Sequence, residues 1–365
     1  MAIVYDQSLT HQSVYAKKLR PFLPKEAFLP DTGKPLILCL NLVILIFGWA
    51  IASYLNQWAW YLMPLFLPFA LLMGNSVVAL AFTCHDLLHS QAIKSPRLRR
   101  LASLLGLTIV WMPPTLWKTI HNRAHHNHTN ALADPDRNYL QQQPNTWGKW
   151  FQNQFVPSVE VKPLRLMFGM ATVWGFYVFR NLTAVILFNR ESVNYVPASV
   201  KVSAKEKRAI ALELLVMVCL HFLVLWSLQF DPLKLLLSYF LPISIGYAGI
   251  IFYIYTNHLA CRMTDVNDPL INSISLKVPK LFDLLHFNFS YHAEHHIFPG
   301  INSDYYPLVQ TLIKEHYPTK VGYILRASDA WRLLLQTPRH YQDEMTLTTW
   351  SGKTSIPCPL NAPTL

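Results

Sequence analysis

A chain of 365 residues is long enough for two or more soluble domains, but its composition excludes that class, with 52% apolar and only 14% charged residues. The net charge of +11 raises two partners, nucleic acid or a membrane. Its distribution favours the membrane and gives no nucleic-acid role, because the positive residues gather in segments that flank uncharged runs.

The N-terminal arm, residues 1–35, carries Lys17, Lys18, Arg20, Lys25 and Lys34. Leu36–Leu55 and Tyr61–Thr83 hold no charged residue, and each is about 20 residues long, the length that crosses a bilayer core. The first run starts after a polar arm and is long for a signal-peptide core, so no cleavable signal is expected. Asn56–Trp60, which joins the two runs, lacks Lys and Arg. Leu101–Met112 and Met167–Phe188, the second interrupted by Arg180 and Asn181, read as interfacial helices. Ala209–Phe230, broken only by Glu213 and His221, and the uncharged Leu235–Asn257 form a second pair of spans. Their link, Asp231–Lys234, holds one Lys. Tyr305–His316 and Asp329–Gln336 have helical apolar spacing, and Pro357–Leu365 reads as a loose terminus. Cys39, Cys84, Cys219, Cys261 and Cys358 are scattered, which argues against a disulfide framework or a zinc ribbon.

The expected architecture is an all-α membrane protein of four transmembrane helices in two hairpins. Residues 36–83 form the first hairpin and 209–257 the second. Residues 84–208 form a cytosolic and interfacial region, and 258–365 a cytosolic helical cap. The basic arm and the Lys94–Arg208 region place both termini on the cytoplasmic side.

Three histidine clusters carry the chemistry: HDLLH (His85–His89), HNRAHH (His121–His126) and HAEHH (His292–His296). They and His258, just past the fourth apolar run, fall on one side of the membrane, as a single site requires. His85 and His89 share a helix face, and His121 and His125 repeat that spacing. His126 points about 100° further round, free for a second metal. His292, His295 and His296 combine three- and four-residue spacings. Eight clustered imidazoles exceed the four ligands of a structural zinc site, and their pattern suits two metals. Imidazole alone leaves Zn, Cu, Fe and Ni open. His11, His128, His221, His286, His316 and His340 stand outside the pattern and read as surface, packing or supporting residues.

The three boxes resemble the HxxxH, HxxxHH and HxxHH signature of integral-membrane fatty acid desaturases and related hydroxylases. The resemblance runs from about Met73 to Leu308 and includes Asp134-Pro135-Asp136, Tyr255–Leu259 and Asn288–Gly300. It implies a cap over four spans and two non-haem iron ions, with O₂ as co-substrate and a lipid acyl chain as substrate. The implied ligands are His85, His89, His121, His125, His126, His292, His295 and His296, joined by His258 after the fourth span. Neutral imidazoles leave iron charge poorly compensated, so carboxylates should orient them. Asp86, Asp134, Asp136, Asp268 and Glu294 are candidates, and Asn257 is a further supporting group. His292 stands where front-end desaturases carry Gln, and no HPGG haem motif occurs, so electrons should come from a separate carrier, a ferredoxin or a cytochrome-type protein. The same centre serves hydroxylases, ketolases and oxidative decarboxylases of fatty acids, carotenoids or other apolar chains. A non-catalytic metal-binding membrane protein is the reading from another class.

Overall fold

The computed structural model describes residues 8–90, 92–135, 150–151, 154–187 and 200–359. Four helices among them are long and apolar enough to cross a membrane: Lys34–Gln57, Trp60–His89, Ala204–Ser227 and Pro232–His258. They start and stop where the chain supplies signals. Ser203 and Glu206 form a reciprocal capping box at the third span. Asp231 accepts the Leu233 and Lys234 N–H groups at 3.0 Å to open the fourth. Leu36, Val43, Ile46 and Phe47 of the first span and Leu212, Leu215, Phe222 and Trp226 of the third are exposed. A surface with that much apolar area is suited to lipid.

The second span is the hub. It packs on the first and the fourth, and the fourth also packs on the helix Pro163–Ile186. Backbones of the second and fourth spans meet closely at glycine. A side chain added at Gly246 would lie 2.4 Å from Val77 Cγ1, and one at Gly74 would lie 2.5 Å from Ile245 Cγ2. The third span leans instead on Pro96–Thr108 and Pro114–Trp117. Its buried Glu213 accepts Arg100 Nε at 2.8 Å and the Thr115 N–H at 3.0 Å. Its His221 stacks on Trp111 and bonds the Thr108 carbonyl and the Tyr239 hydroxyl at 2.9 and 2.7 Å. The two links between consecutive spans touch through Asn56 and Asp231, at the end of the bundle away from the histidine boxes.

Three features depart from the sequence reading. Pro163–Ile186 is one unbroken helix: at its polar interruption Asn181 donates to the Tyr177 carbonyl and Arg180 reaches the Pro135 carbonyl. The second span continues through the first box, so His85 and His89 ride on its last turns. The region after the spans is not purely helical. Strands β1 (Ser275–Lys277) and β2 (Ile324–Arg326) pair in parallel. Strands β3 (His340–Tyr341), β4 (Thr346–Thr348) and β5 (Ser355–Pro357) form an antiparallel sheet in the order β3-β4-β5. The expected loose terminus therefore begins as an edge strand. The N-terminal helix Gln12–Leu19 folds back onto His292–Ile297 and Tyr306–His316, burying Tyr15 and Leu19 against Val309 and Ile313.

Candidate metal centre

Four elements bring the boxes together. The last turns of the second span present His85 and His89, and the fourth span ends on His258. The second box begins in a π-helical turn, Lys118–Ala124, that runs into a 3₁₀ turn, His125–Asn127. The third box is itself a short helix, His292–Ile297.

All nine expected histidines converge, and they divide into two groups. His85, His89, His121, His126 and His295 form one, and His125, His258, His292 and His296 the other; within each the ring nitrogens lie within 4.8 Å of one another. The division differs from the expectation for the second box, where His121 was paired with His125. The π turn widens the helix, so residues five apart share a side and His121 joins His126. In the third box His292 and His296 keep their four-residue partnership, while His295 crosses to the five-membered group.

The Nε2 atoms face inward. His85 and His121 approach to 2.9 Å, and His121–His126 and His126–His295 to 3.1 Å. In the other group His258–His292 and His292–His296 approach to 2.8 and 3.2 Å. Outer partners explain which ring atom points in. Asp134 Oδ2 lies 2.9 Å from His125 Nδ1, and the Asn272 carbonyl 3.2 Å from His258 Nδ1. Each can only accept, so the proton sits on Nδ1 and the Nε2 lone pair is left facing the group. Thr129 Oγ1 donates to the His125 carbonyl and is free to accept from His296 Nδ1 at 3.2 Å. Tyr306 Oη is 2.9 Å from His295 Nδ1. Burial holds His121, His126, His292, His295 and His296 well below the usual imidazole range, and the neighbouring imidazoles lower them further. Neutral rings with facing lone pairs are a donor set that wants cations, so these residues fit two metal ions.

Of the expected orienting groups among the described residues, only Asp134 touches a histidine. It is placed by a left-handed turn at Asn130 (φ 55°), whose N–H it accepts at 2.8 Å. Asp86 pairs with Lys34 at 2.7 Å, and Asp268 accepts from Thr10 and Tyr15. Glu294 accepts from Ser275, from Gln310 at 3.0 Å and from Tyr323 at 2.9 Å. Asn257 is buried with no hydrogen-bond partner for its amide. Asp136 lies outside the described residues. Tyr306, Thr129 and the Asn272 carbonyl were not foreseen. Of the six remaining histidines, His221 and His286 are packing residues. His286 bonds Tyr253 and Asn75.

An apolar pocket runs from both groups into the helical bundle, between the second span, the fourth span and Pro163–Ile186. Phe82, Trp117, Trp174, Ile250, Ile254 and Phe289 line it, and His85, His121, His125, His258 and His292 form its floor. Phe82 and Phe289 stack at 3.9 Å beside that floor.

Residues 60–327, well over half of the chain, match the family described as fatty acid desaturase. Among curated proteins no match is found.

Proposed function

The chain belongs to the fatty acid desaturase family, and from that premise we propose that it is an O₂-dependent acyl-chain desaturase using two iron ions. His85, His89, His121, His126 and His295 would hold one ion, and His125, His258, His292 and His296 the other. Bound there, the iron pair supplies the activation of O₂. The reaction removes two hydrogens from adjacent methylenes and, with two electrons and two protons, turns one O₂ into two waters. The residues of this chain do the rest. Asp134, Thr129, Tyr306 and the Asn272 carbonyl fix the imidazoles with Nε2 inward. Phe82, Phe289, Trp117 and the isoleucines of the fourth span hold an unbranched chain over the two groups and keep water from it.

The observation that carries the reading is this pocket, an apolar slot with a floor of histidines. Its lining has little to offer a polar substrate, while an acyl chain buries its methylenes there at about 0.8 kcal/mol each. Electrons come from a separate carrier, a ferredoxin or a cytochrome-type protein. The two links between spans hold a single Lys and no Arg, and the basic segments lie at the histidine end. That asymmetry supports a cytoplasmic site and termini, with residues 1–365 acting as one unit.

The test is lipid profiling by mass spectrometry of cells expressing the parent or His295→Ala, with oxygen and a ferredoxin supply. New acyl double bonds with the parent alone are expected. Hydroxylated, ketonic or shortened products would move the enzyme to another reaction of the family, and unchanged desaturation by His295→Ala would refute the ligand assignment.

A further inference from the structure

The histidine groups are approached from two sides. Besides the apolar pocket, a polar recess lined in part by Asp31, Lys34, Asp86, His89, Ser90 and Gly300 leads in from the surface. The two share no lining residue. His89 is the one histidine of the nine that lines the recess, and its Nε2 is shielded, with no hydrogen-bond partner among the described residues. Polar groups line the wall: Lys34 Nζ bridges Asp86 at 2.7 Å and Ser303 at 3.0 Å, and Asp31 Oδ1 accepts the Gly33 N–H at 2.8 Å. The recess therefore offers water hydrogen-bonding walls, which a water path needs and the apolar pocket lacks.

The proposed reaction takes up two protons and releases two waters in each turnover. When an acyl chain fills the apolar pocket, neither can pass that way, since Phe82, Ile250, Ile254 and Trp174 give water no partners. We propose that the polar recess is the aqueous port of the metal centre, through which water and small anions reach the five-histidine group while the apolar pocket is occupied. Gly300 keeps it open. A side chain added there would meet only the His89 carbonyl oxygen, at 3.8 Å, and would otherwise fill the recess. Leu29, which is 59% exposed, stands at its rim.

This port rests on the metal assignment proposed above, so one experiment reads both. The full-length protein is loaded with iron, oxidised and mixed with azide while a long-chain fatty acid is present in excess. Stopped-flow absorbance follows the azide-to-iron charge-transfer band, and elemental analysis gives iron per chain in the same samples. Gly300→Leu should slow azide entry about tenfold or more, equivalent to a barrier raised by about 1.4 kcal/mol. Leu29→Ala should speed it. Equal rates in all three proteins, or no azide band in the iron-loaded parent, would overturn the port and leave the metal assignment standing. A parent that binds no iron would overturn both. Should Gly300→Leu fail to accumulate, Leu29→Ala decides alone: faster entry supports the port and an unchanged rate refutes it.

Discussion

At His125 a buried carboxylate, not spacing, decides which ring nitrogen faces inward, since Asp134 lies 2.9 Å from Nδ1. A carboxylate behind a ligating imidazole also raises its basicity, and losing such a partner costs about 10- to 100-fold in metal affinity. Asp134→Asn should weaken iron binding by that factor, as measured by competition with a chelator. Glu294→Gln is the useful contrast: it sits inside the third box but touches Ser275, Gln310 and Tyr323, so it should lower thermal stability and spare affinity. Equal affinity in Asp134→Asn and the parent would show that the contact orients nothing. The nine histidines were legible because their residue type and clustering are written locally. Of their supports only Asp134 was, as one candidate among several acidic residues. A tyrosine eleven residues past His295, a threonine three residues past the second box and a backbone carbonyl reach the rings only after folding, and no spacing rule announces them.

Among the elements, the four spans were legible to within a few residues because uncharged length is a strong and local signal. Two things were hidden. The π turn at Lys118–Ala124 leaves no mark on apolar periodicity, so the division of the second box between the groups was read with α-helical geometry and came out reversed. Strands of two or three residues, such as Ile324–Arg326, are too short to show alternation. The contact between the second and fourth spans was equally silent, since Gly74 and Gly246 look like any glycine in an apolar run. It is nevertheless where the backbone frame of the site is set. Gly246→Val would drive a side chain into Val77, and overpacking of this kind costs about 1–3 kcal/mol. A fall in thermal midpoint is expected, larger than that of Gly175→Val, where an added Cβ would meet only Tyr247 Cε2, at 3.4 Å. Equal falls in the two variants would mean that the destabilisation comes from elsewhere than this contact.

For the molecule as a whole, a core of neutral imidazoles ties stability to pH. His121, His126, His292, His295 and His296 lie well below the ordinary imidazole range because they are buried first and crowded by other imidazoles second. In the unfolded chain the same rings take up protons near pH 6.5. Between that value and their lower folded values, the unfolded state binds more protons, so stability rises with pH. The contribution is complete above about pH 6.5 and is lost as pH falls towards the folded values. Each ring contributes a slope of up to about 1.4 kcal/mol per pH unit. Five together would consume a typical stability of about 5–15 kcal/mol within one or two units. Metal-free protein should therefore show a steep fall in thermal midpoint between about pH 6.5 and 5. Iron-loaded protein should resist that fall, because an ion on Nε2 must be displaced before a proton can bind. The check is a pair of melting curves in detergent, with and without iron, from pH 8 to 5. A flat metal-free curve would mean that these rings are open to solvent, and coincident curves would mean that iron does not sit on them.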